Sequence, residues 1–487
     1  MTSTDAATPP HLSAAKLRRK VIGLAVAAAV GGFLFGFDSS VVNGAVEAVQ
    51  HEYQLSPALI GFAVASALLG CALGAYIAGR LADRWGRIRV MLLGAALFFV
   101  SSIGSGAAFS IWDLVLWRIV GGLGIGIASV IAPTYISEIA PKAIRGALSS
   151  LQQLAITIGI FAALLSDTLI ATGANGASAP YWFGVPAWRW MFIACAVPAV
   201  VYGILALMLP ESPRYLATRG KIDQARTVLA TVTPHHEVDE ALDDIQRKIN
   251  EDAENAQRSS LRGPALGLLP VVWVGILLST FQQFVGINVI FYYSTSLWSA
   301  VGFDQSDSFV ISVFTSIVNV AVTFIAIFLV DKVGRKPLLL VGSVGMAIPL
   351  LLMAIAFSQA TISGKAVSLP GAWGPIALVS ANAFVVFFGS TWGPLVWVLL
   401  GEIFPNRIRA AALGLAASAQ WIANFVITVT FPILSQDVSL TVAYAIYAGF
   451  AALSFVFVFF FVPETKGRSL EEMDTLHIRT VMKSARK

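Results

Sequence analysis

An acidic side chain interrupts the first long apolar segment of the chain. Asp38 lies in GFLFGFDSSVVNG at 32–44, and no other ionisable side chain occurs between Lys20 and Glu47. A charged residue at the centre of a membrane helix costs about 2.5 to 3.5 kcal/mol on insertion scales. Two interpretations are open: Asp38 binds and releases a proton during function, or it is a structural acid that is neutral or paired inside a helix bundle.

A single basic residue lies deep in another apolar segment and could pair with this acid. Arg118 occurs in LVLWRIVGGLGIG at 114–126, five residues from Asp113, or ~7.5 Å along a helix. Asp38 lies nine residues, or ~13.5 Å, from Glu47. Opposite charges at similar depth stabilise each other, whereas either one alone is expensive in a membrane. We therefore predict that Asp38 and Arg118 interact.

The composition indicates the kind of elements that hold these charges. Of the 487 residues, 57% are hydrophobic and only 12% are charged, against about 25% charged in average soluble domains. A membrane-spanning helix needs about 20 apolar residues. On that basis the sequence predicts twelve transmembrane helices, at 21–46, 58–79, 90–109, 112–134, 147–170, 188–209, 266–300, 308–330, 337–358, 372–400, 410–433 and 440–462.

The distribution of basic residues predicts the orientation of these spans. All but three of the 32 Lys and Arg residues lie in the N-terminal tail, the loops after even-numbered spans or the C-terminal tail; the exceptions are Arg118, Arg189 and Lys365. Cytoplasmic loops collect Lys and Arg. Both termini are therefore expected on the cytoplasmic side.

One long polar segment divides the spans six and six. Residues 210–265 are charged, and Val238, Leu242 and Ile245 recur at helical spacing within them. About 55 residues are near the lower limit for a self-sufficient core, so we expect a helical linker and no separate catalytic domain. The predicted organisation is a cytoplasmic tail at 1–20, a six-helix bundle at 21–209, the intracellular linker at 210–265, a second six-helix bundle at 266–462 and a cytoplasmic tail at 463–487.

Three motifs of the first half return in the second half in the same order. GRLADRWGR at 79–87 is matched by FLVDKVGRK at 328–336, and YISEIAPKAIRG at 135–146 by LLGEIFPNRIRA at 399–410. PESPRYL at 210–216 is matched by PETKGRS at 463–469. Such internal similarity indicates two homologous six-helix halves.

Five motifs together resemble those of sugar porters of the major facilitator superfamily, most closely the bacterial proton-coupled hexose symporters, over residues 18–475. They are GRLADRWGR, PESPRYL, QQFVGINVIFYYST, WGPLVWVLLGEIFP and PETKG. The resemblance implies an all-α polytopic membrane protein whose two bundles alternately open a central site to either side. It implies a transporter and not an enzyme.

The resemblance also implies roles for the buried charges. Proton-coupled sugar porters have an Asp in span 1 and an Arg in span 4, at the positions of Asp38 and Arg118, whereas many facilitative relatives have Asn in place of the Asp. Some coupled relatives have a Glu in span 6, where this chain has Cys195. We hypothesise that Arg118 favours ionised Asp38, and that protonation from outside releases the pair and permits closure around sugar.

Acidic and basic residues repeat at the cytoplasmic ends of both halves. Charges that only orient the chain would explain the excess of bases but not the repeated acids. We expect an ion-pair network that stabilises the outward-facing state, in which each exposed pair contributes about 0 to 1 kcal/mol. Its predicted members are Asp83, Arg84, Arg87, Glu138, Arg145, Glu211, Arg214, Asp331, Arg335, Glu402, Arg407, Arg409 and Glu464.

Amide and aromatic side chains within the spans suit a sugar, because amides match hydroxyls that donate and accept, and aromatic rings match C–H faces. A single membrane amide could instead only join two helices, typically for about 0.6 kcal/mol. Gly286 is expected to let span 7 bend beside this group. The predicted substrate-binding residues are Gln153, Gln282, Gln283, Asn288, Tyr292, Tyr293, Asn319, Trp392, Trp397, Gln420, Trp421 and Asn424.

Several other chemistries have weaker support. The chain has no GxxxxGK[ST] loop for nucleotide-driven transport, and the glycines of 70–74 and 122–126 suit close helix packing. Cys71 and Cys195 lie in apolar segments as small hydrophobes, and His235 and His236 are expected to be solvated. We expect no metal, no organic cofactor and no nucleic-acid partner.

The sequence thus predicts a proton-coupled symporter for glucose or another hexose, which works by alternating access as a monomer in the lipid bilayer of a plasma or inner membrane. The proton is the coupling ion. Ile160 favours a hexose, since some pentose-transporting relatives have Gln there. The alternatives are a facilitative sugar uniporter, a transporter-like nutrient sensor and a drug exporter. Asp38 argues against the first, the short tail after Pro463 against the second, and the amides against the third.

Overall fold

The structure is a computed structural model that describes residues 14–140, 145–256, 261–363, 366–404 and 408–465. Within these ranges, twelve helical segments are long and apolar enough to cross a membrane. The predicted all-α architecture of twelve spans is confirmed, and the chain is a multi-pass membrane protein.

The first half contributes six spans, and its sixth span is broken into α6 and α7 at Cys195. The helices of this half are α1 (Ala14–Glu52), α2 (Pro57–Trp85), α3 (Arg87–Ala107), α4 (Ile111–Ile139), α5 (Arg145–Ala174), α6 (Ala187–Ala194) and α7 (Ala196–Met208).

The segment between the halves forms short helices, namely α8 (Pro213–Thr218), α9 (Ile222–Leu229) and α10 (Val238–Ala256). Val238 and Leu242 are buried with residues of α8 and α9, and Ile245 packs against them. The predicted apolar face is therefore confirmed. The Arg219 guanidinium on this segment donates to the Asp83 and Arg84 carbonyls at 3.0 and 2.5 Å, which fixes the linker to the end of α2.

The second half contributes the remaining spans and a short antiparallel hairpin that the sequence did not predict. Its elements are α11 (Pro270–Phe284), α12 (Ile287–Tyr292), α13 (Ser294–Ser299), α14 (Gln305–Val333), α15 (Arg335–Ser358), β1 (Thr361–Ser363), β2 (Ala366–Ser368), α16 (Trp373–Phe387), α17 (Gly393–Ile403), α18 (Arg409–Pro432) and α19 (Leu440–Phe461).

Two spans of this half are not the continuous helices that hydropathy predicted. The segment predicted at 266–300 is divided into α11, α12 and α13, and Gly286 between the first two has φ +84°. Glycine reaches this left-handed region without steric cost, so the expected bend at Gly286 is confirmed. The span predicted at 372–400 contains a π-helical segment, Phe388–Trp392, just before Pro394. Proline lacks an N–H and its ring clashes with the carbonyl four residues earlier, which accounts for the local change of pitch.

Glycines bring α2 and α4 into close contact, as the spacing predicted. A Cβ atom on Gly74 would contact the Leu123 backbone, and one on Gly122 or Gly126 would contact the backbone of Ala67 or Cys71. Close approach of two backbones is the usual function of small residues at membrane helix interfaces. This packing sets the position of Arg118 on α4.

We name the two ends of the bundle by their charges. The basic end carries the α2–α3 and α14–α15 turns, with Arg87 and Arg335. The acidic end carries the α1–α2 connection and the start of α14, with Glu52 and Asp304.

The two halves are joined at the acidic end. The Thr295 N–H donates to Asn43 Oδ1 at 3.0 Å, and the Thr295 hydroxyl donates to the Asn43 carbonyl at 2.7 Å. Gln50 Nε2 donates to Gln436 Oε1 at 3.0 Å. We call these four residues the acidic-end latch. Their contacts close the bundle at this end.

Towards the basic end α5 and α18 are less covered by their neighbours. Residues 151–156 of α5 and 417–421 of α18 are all partly exposed, over more than one helical turn. We call the space beside these two stretches the cleft. The hydrogen bonds described above between the halves, in contrast, lie at the acidic end.

Candidate functional site

An ion pair inside the membrane joins α1 to α4. Arg118 Nη1 donates to Asp38 Oδ1 at 2.7 Å, and both side chains are buried. The Arg118 guanidinium also lies 5.7 Å from the centre of the Phe192 ring. The predicted contact is confirmed, while its role in proton coupling remains a prediction. Arg118 Nε has no hydrogen-bond partner among the described residues.

A small cavity beside this ion pair is lined by both halves of the protein. Asp38, Cys71 and Arg118 of the first half and Tyr292 of the second half line it, and its volume is about 10 Å³. This volume is close to the least that holds one water molecule. The ion pair and a side chain of the opposite half thus line the same cavity.

Tyr292 connects this cavity to an amide on α18. The Asn424 side-chain amide donates to the Tyr292 hydroxyl at 3.3 Å, and the Thr428 hydroxyl donates to Asn424 Oδ1 at 3.1 Å. The adjacent Tyr293 hydroxyl donates to the Thr428 carbonyl at 3.0 Å and is buried. Tyr292 and Asn424 are therefore in contact, and Tyr293 bonds to Thr428, the residue that donates to Asn424.

A chain of amides crosses the break between α11 and α12. Gln282 Nε2 donates to the carbonyls of Trp392 and Gly393 at 3.1 and 3.0 Å, at the π-helical segment. Gln283 Nε2 donates to Gln282 Oε1 at 3.4 Å, and Asn288 Nδ2 donates to Gln283 Oε1. Because Asn288 is partly exposed whereas the two Gln side chains are buried, the chain leads from the helix interior towards open space.

Four other predicted residues are placed around the cleft. Gln153, Gln420 and Trp421 are partly exposed, within the uncovered stretches of α5 and α18. The Trp421 ring makes an edge contact with the Phe35 ring, with 5.3 Å between centres. Asn319 is buried on α14, close to the π-helical segment at Gly389. These placements agree with a polar site between the halves.

The two tryptophans of the WGPLVWVLLGEIFP motif differ in position. Trp392 is fully buried, and its indole N–H donates to the Leu339 carbonyl at 3.0 Å and to Ser343 Oγ at 3.1 Å. These bonds hold the π-helical segment against α15 and leave the indole N–H no free position for a ligand. Trp397 is 39% exposed, and its place in the site remains a prediction.

The repeated charges at the basic end form equivalent ion pairs in the two halves. Arg87 donates to Glu138 through Nη2 and Nε at 2.8 and 3.0 Å. Arg335 donates to Glu402 in the same two-bond geometry at 2.9 and 3.2 Å. Planar two-bond pairing of this kind is the strong form of the arginine–carboxylate contact.

A further repeated acid caps a helix in each half. Glu211 accepts from the Arg87 N–H at 2.9 Å at the start of α3, and Glu464 accepts from the N–H groups of Arg335 and Lys336 at 3.1 and 3.0 Å at the start of α15. Carboxylates stabilise helix N-termini because free N–H groups and the helix dipole are positive there.

The ion pairs between described side chains at the basic end each join residues of one half. We expected a network that stabilises the outward-facing state, and its pairs between the two halves stay a prediction. Asp83 and Arg84 are exposed there, and Arg214 is half-buried on α8. Arg407 lies outside the described residues, as do the side chains of Arg145, Asp331 and Arg409.

Two features of the site were missed in the sequence. The Asn43 and Thr295 contact depends on two distant helices, which no local pattern reveals. Asp167 on α5 is fully buried, although it falls near the end of the predicted span 147–170, where an acid is unremarkable. In the structure α5 continues to Ala174, which places Asp167 inside the membrane segment. An acid inside a predicted span was the signal that could have found it.

Comparisons with known proteins agree with this geometry. The sequence profile of the family described as "Sugar (and other) transporter" matches residues 24–477. The chain is 54% identical over 447 residues to the "Glucose transport protein" of Synechocystis sp., covering 92% of this chain and 95% of that one. It is 35% identical to the "D-xylose-proton symporter" of Escherichia coli, covering 94% and 95%.

A solved structure extends the likeness to the fold. The partially occluded inward-open form of the xylose transporter XylE from E. coli matches with a TM-score of 0.80 and 34% identity, over 92% of this chain and 99% of that one. The fold and the site thus define a transporter of the major facilitator superfamily. The chain belongs to its sugar transporter family.

Proposed function

We propose that this chain is a proton-coupled monosaccharide symporter for glucose or another hexose, with the proton as coupling ion. Support comes from its family and from relatives named as a glucose transport protein and a proton symporter. The observation that carries the proposal is the buried ion pair of Asp38 with Arg118, beside a cavity that Tyr292 of the other half also lines.

The proposed cycle uses the two ends of the bundle in turn. The basic end is proposed to be the cytoplasmic one, since Lys and Arg collect there, and the latch at the acidic end then supports an inward-facing state. In the outward-open state, a proton from outside neutralises Asp38 and weakens its attraction to Arg118. Tyr292 then moves with the released pair, and closure of the acidic-end latch follows sugar binding.

The sugar is proposed to bind between the amide chain of the second half and the uncovered stretch of α5. Asn288, Gln420, Trp421 and Gln153 are partly exposed and so have surface left for a ligand. Gln282 and Trp392 are engaged with backbone carbonyls, so we assign them to positioning of the helices around the site. Mixed amide and aromatic surfaces of this kind suit a sugar ring.

The test is uptake of radiolabelled glucose into proteoliposomes with and without an imposed pH gradient, competed by a panel of hexoses and pentoses. One coupled proton and a gradient of one pH unit support accumulation of about tenfold. We expect Asp38→Asn to abolish accumulation while exchange across the membrane continues. Asp307→Asn, an exposed acid at the acidic end, is the matched control. Uptake by the parent protein that ignores the gradient would establish a facilitative uniporter instead.

We further propose that the protein works as a monomer in a plasma or inner membrane with both termini cytoplasmic. Twelve spans form two complete halves, and the site described above uses residues of one chain only. Protease protection of tags placed at either terminus tests the orientation. Tags cleaved from outside intact cells would contradict it.

A further inference from the structure

Asp167 is a buried acid of the first half that the proposed cycle does not use. Its side chain is fully buried within the membrane segment of α5. It lies seven residues, or ~10.5 Å along the helix, from the end of α5 at Ala174. Acids in membrane helices are rare and usually functional, so this one requires an explanation.

The partners of Asp167 differ from those of Asp38. The Gly44 N–H donates to Asp167 Oδ2 at 3.2 Å. No donor to Oδ1 and no basic partner occur among the described residues. An ionised carboxylate accepts at about four positions and is unstable when buried without a compensating charge. A carboxyl group that carries a proton fits these surroundings, because it has no charge to compensate.

The carboxyl group occupies space that only a glycine leaves free. A Cβ atom on Gly44 would lie 2.7 Å from Asp167 Oδ2 and 2.8 Å from its Cγ. Gly44 follows Asn43, whose side chain accepts from the Thr295 N–H in the acidic-end latch. Asp167 thus packs against Gly44, the residue next to the latch residue Asn43 on α1.

Other titratable groups lie on the helices packed against α5. At mid-membrane and towards the acidic end, α1 carries Asp38, Glu47, His51 and Glu52, and α4 carries Arg118 and Asp113. On α6 the base is Arg189, which pairs with Glu52, and Cys195 lies between α6 and α7. On α14, which also packs against α5, Asp307 is exposed at the acidic end. Arg118 is already paired with Asp38, so its charge is largely compensated before it reaches Asp167.

We propose that Asp167 is a second proton-binding site, and that proton binding there allows the acidic end to close. With the proton bound, α1 packs against α5 and brings Asn43 to Thr295. When α1 moves away, water from the acidic side reaches the carboxyl group and takes the proton. The inference deepens the proposed function and rests on it for the direction of proton movement.

Spin labels across the acidic-end latch provide the test. His51→Cys and Val438→Cys place one label on each half, beside Gln50 and Gln436 but outside the latch contacts. Pulsed electron paramagnetic resonance measures their separation in lipid at a series of pH values. The native Cys71 and Cys195 are buried and are retained. All variants carry Asp38→Asn together with Arg118→Leu, so that neither Asp38 nor an unpaired Arg118 charge produces the remaining response to pH. This background is named below by its Asp38→Asn change.

We expect the separation to lengthen as pH rises in the Asp38→Asn protein and to stay short at every pH once Asp167→Asn is added. Asp307→Asn in place of Asp167→Asn keeps the response, and Asp167→Ser serves if the Asn variant does not fold. A response that persists without the Asp167 carboxyl overturns the inference. Uptake that ignores a pH gradient while this response is intact would refute proton coupling but leave Asp167 as a proton site.

Discussion

The two halves of this transporter share their charges at the basic end and differ at mid-membrane. Arg87 with Glu138 and Arg335 with Glu402 form the same two-bond pair, although only the first half has Asp, Glu, Lys or Arg within its predicted spans, as Asp38 and Arg118 illustrate. The second half places neutral amides at the corresponding depth. Repetition preserved the parts that hold helices together, whereas proton chemistry and ligand contacts were divided between the halves.

This division requires a junction, and few described side chains provide it. Tyr292 lines the cavity beside Asp38 and accepts from Asn424, while Thr295 engages Asn43 at the acidic end. Both residues belong to the broken seventh span. A span interrupted by Gly286 can move in short pieces, which suits a part that transmits protonation from one half to the other.

The largest effect on stability is expected from breaking the buried ion pair of the first half. Arg118→Leu leaves Asp38 buried without its base, and breaking a buried pair in this way costs about 3–5 kcal/mol of unfolding free energy. Adding Asp38→Asn restores most of this loss, because no unpaired charge remains. Thermal unfolding of the purified protein in detergent measures both.

The control for this experiment is Arg226→Leu, which breaks an exposed pair with Asp239. Exposed pairs contribute about 0–1 kcal/mol, so a small change is expected. A double variant as unstable as Arg118→Leu alone would show that lost packing, and not the unpaired acid, causes the effect.

Gln283→Leu interrupts the amide chain of the second half, because Gln283 links Gln282 to Asn288. Unpaired amides cost about 1–2 kcal/mol, so KM for sugar rises about 5–30-fold. The rise is expected with or without a pH gradient, since the proton site is untouched. Asn382→Leu, an amide that bonds only within its own helix, is the matched control for radiolabelled uptake. A change confined to gradient-driven uptake would contradict the division between the halves.

The junction itself is tested by Tyr292→Phe, which keeps the ring but removes the hydroxyl that accepts from Asn424. One neutral hydrogen bond contributes about 0.5–1.5 kcal/mol. We expect sugar exchange to continue. The increase in sugar uptake for each unit of pH gradient, which we call the steepness, is expected to fall. The buried Tyr293, whose hydroxyl bonds only to the Thr428 carbonyl, supplies the comparison through Tyr293→Phe. Equal losses of steepness in the two variants would contradict a special role for Tyr292.

The sequence predicted features that are local or repeated. Hydropathy is set by composition along about 20 residues, so all twelve spans were found, and Asp38 with Arg118 could be matched by depth alone. The buried position of Asp167 and the engaged indole of Trp392 depend on which helices pack together, which no window of sequence contains. The π-helical segment before Pro394 could have been anticipated from proline chemistry. The hydrogen bond that Gln282 donates to the Trp392 carbonyl in this segment could not.

The smallest expected effect separates the two repeated ion pairs. Glu138 has a 6% exposed side chain and its equivalent Glu402 a 31% exposed one. When the more buried acid is neutralised, less water is available to solvate the Arg87 charge in its place. Glu138→Gln is therefore expected to lower the unfolding temperature more than Glu402→Gln. We expect the two free energies of unfolding to differ by about 1 kcal/mol, since water screens the exposed pair. Equal shifts in thermal unfolding would mean that exposure at the basic end does not distinguish the halves, and that the difference between them is confined to mid-membrane.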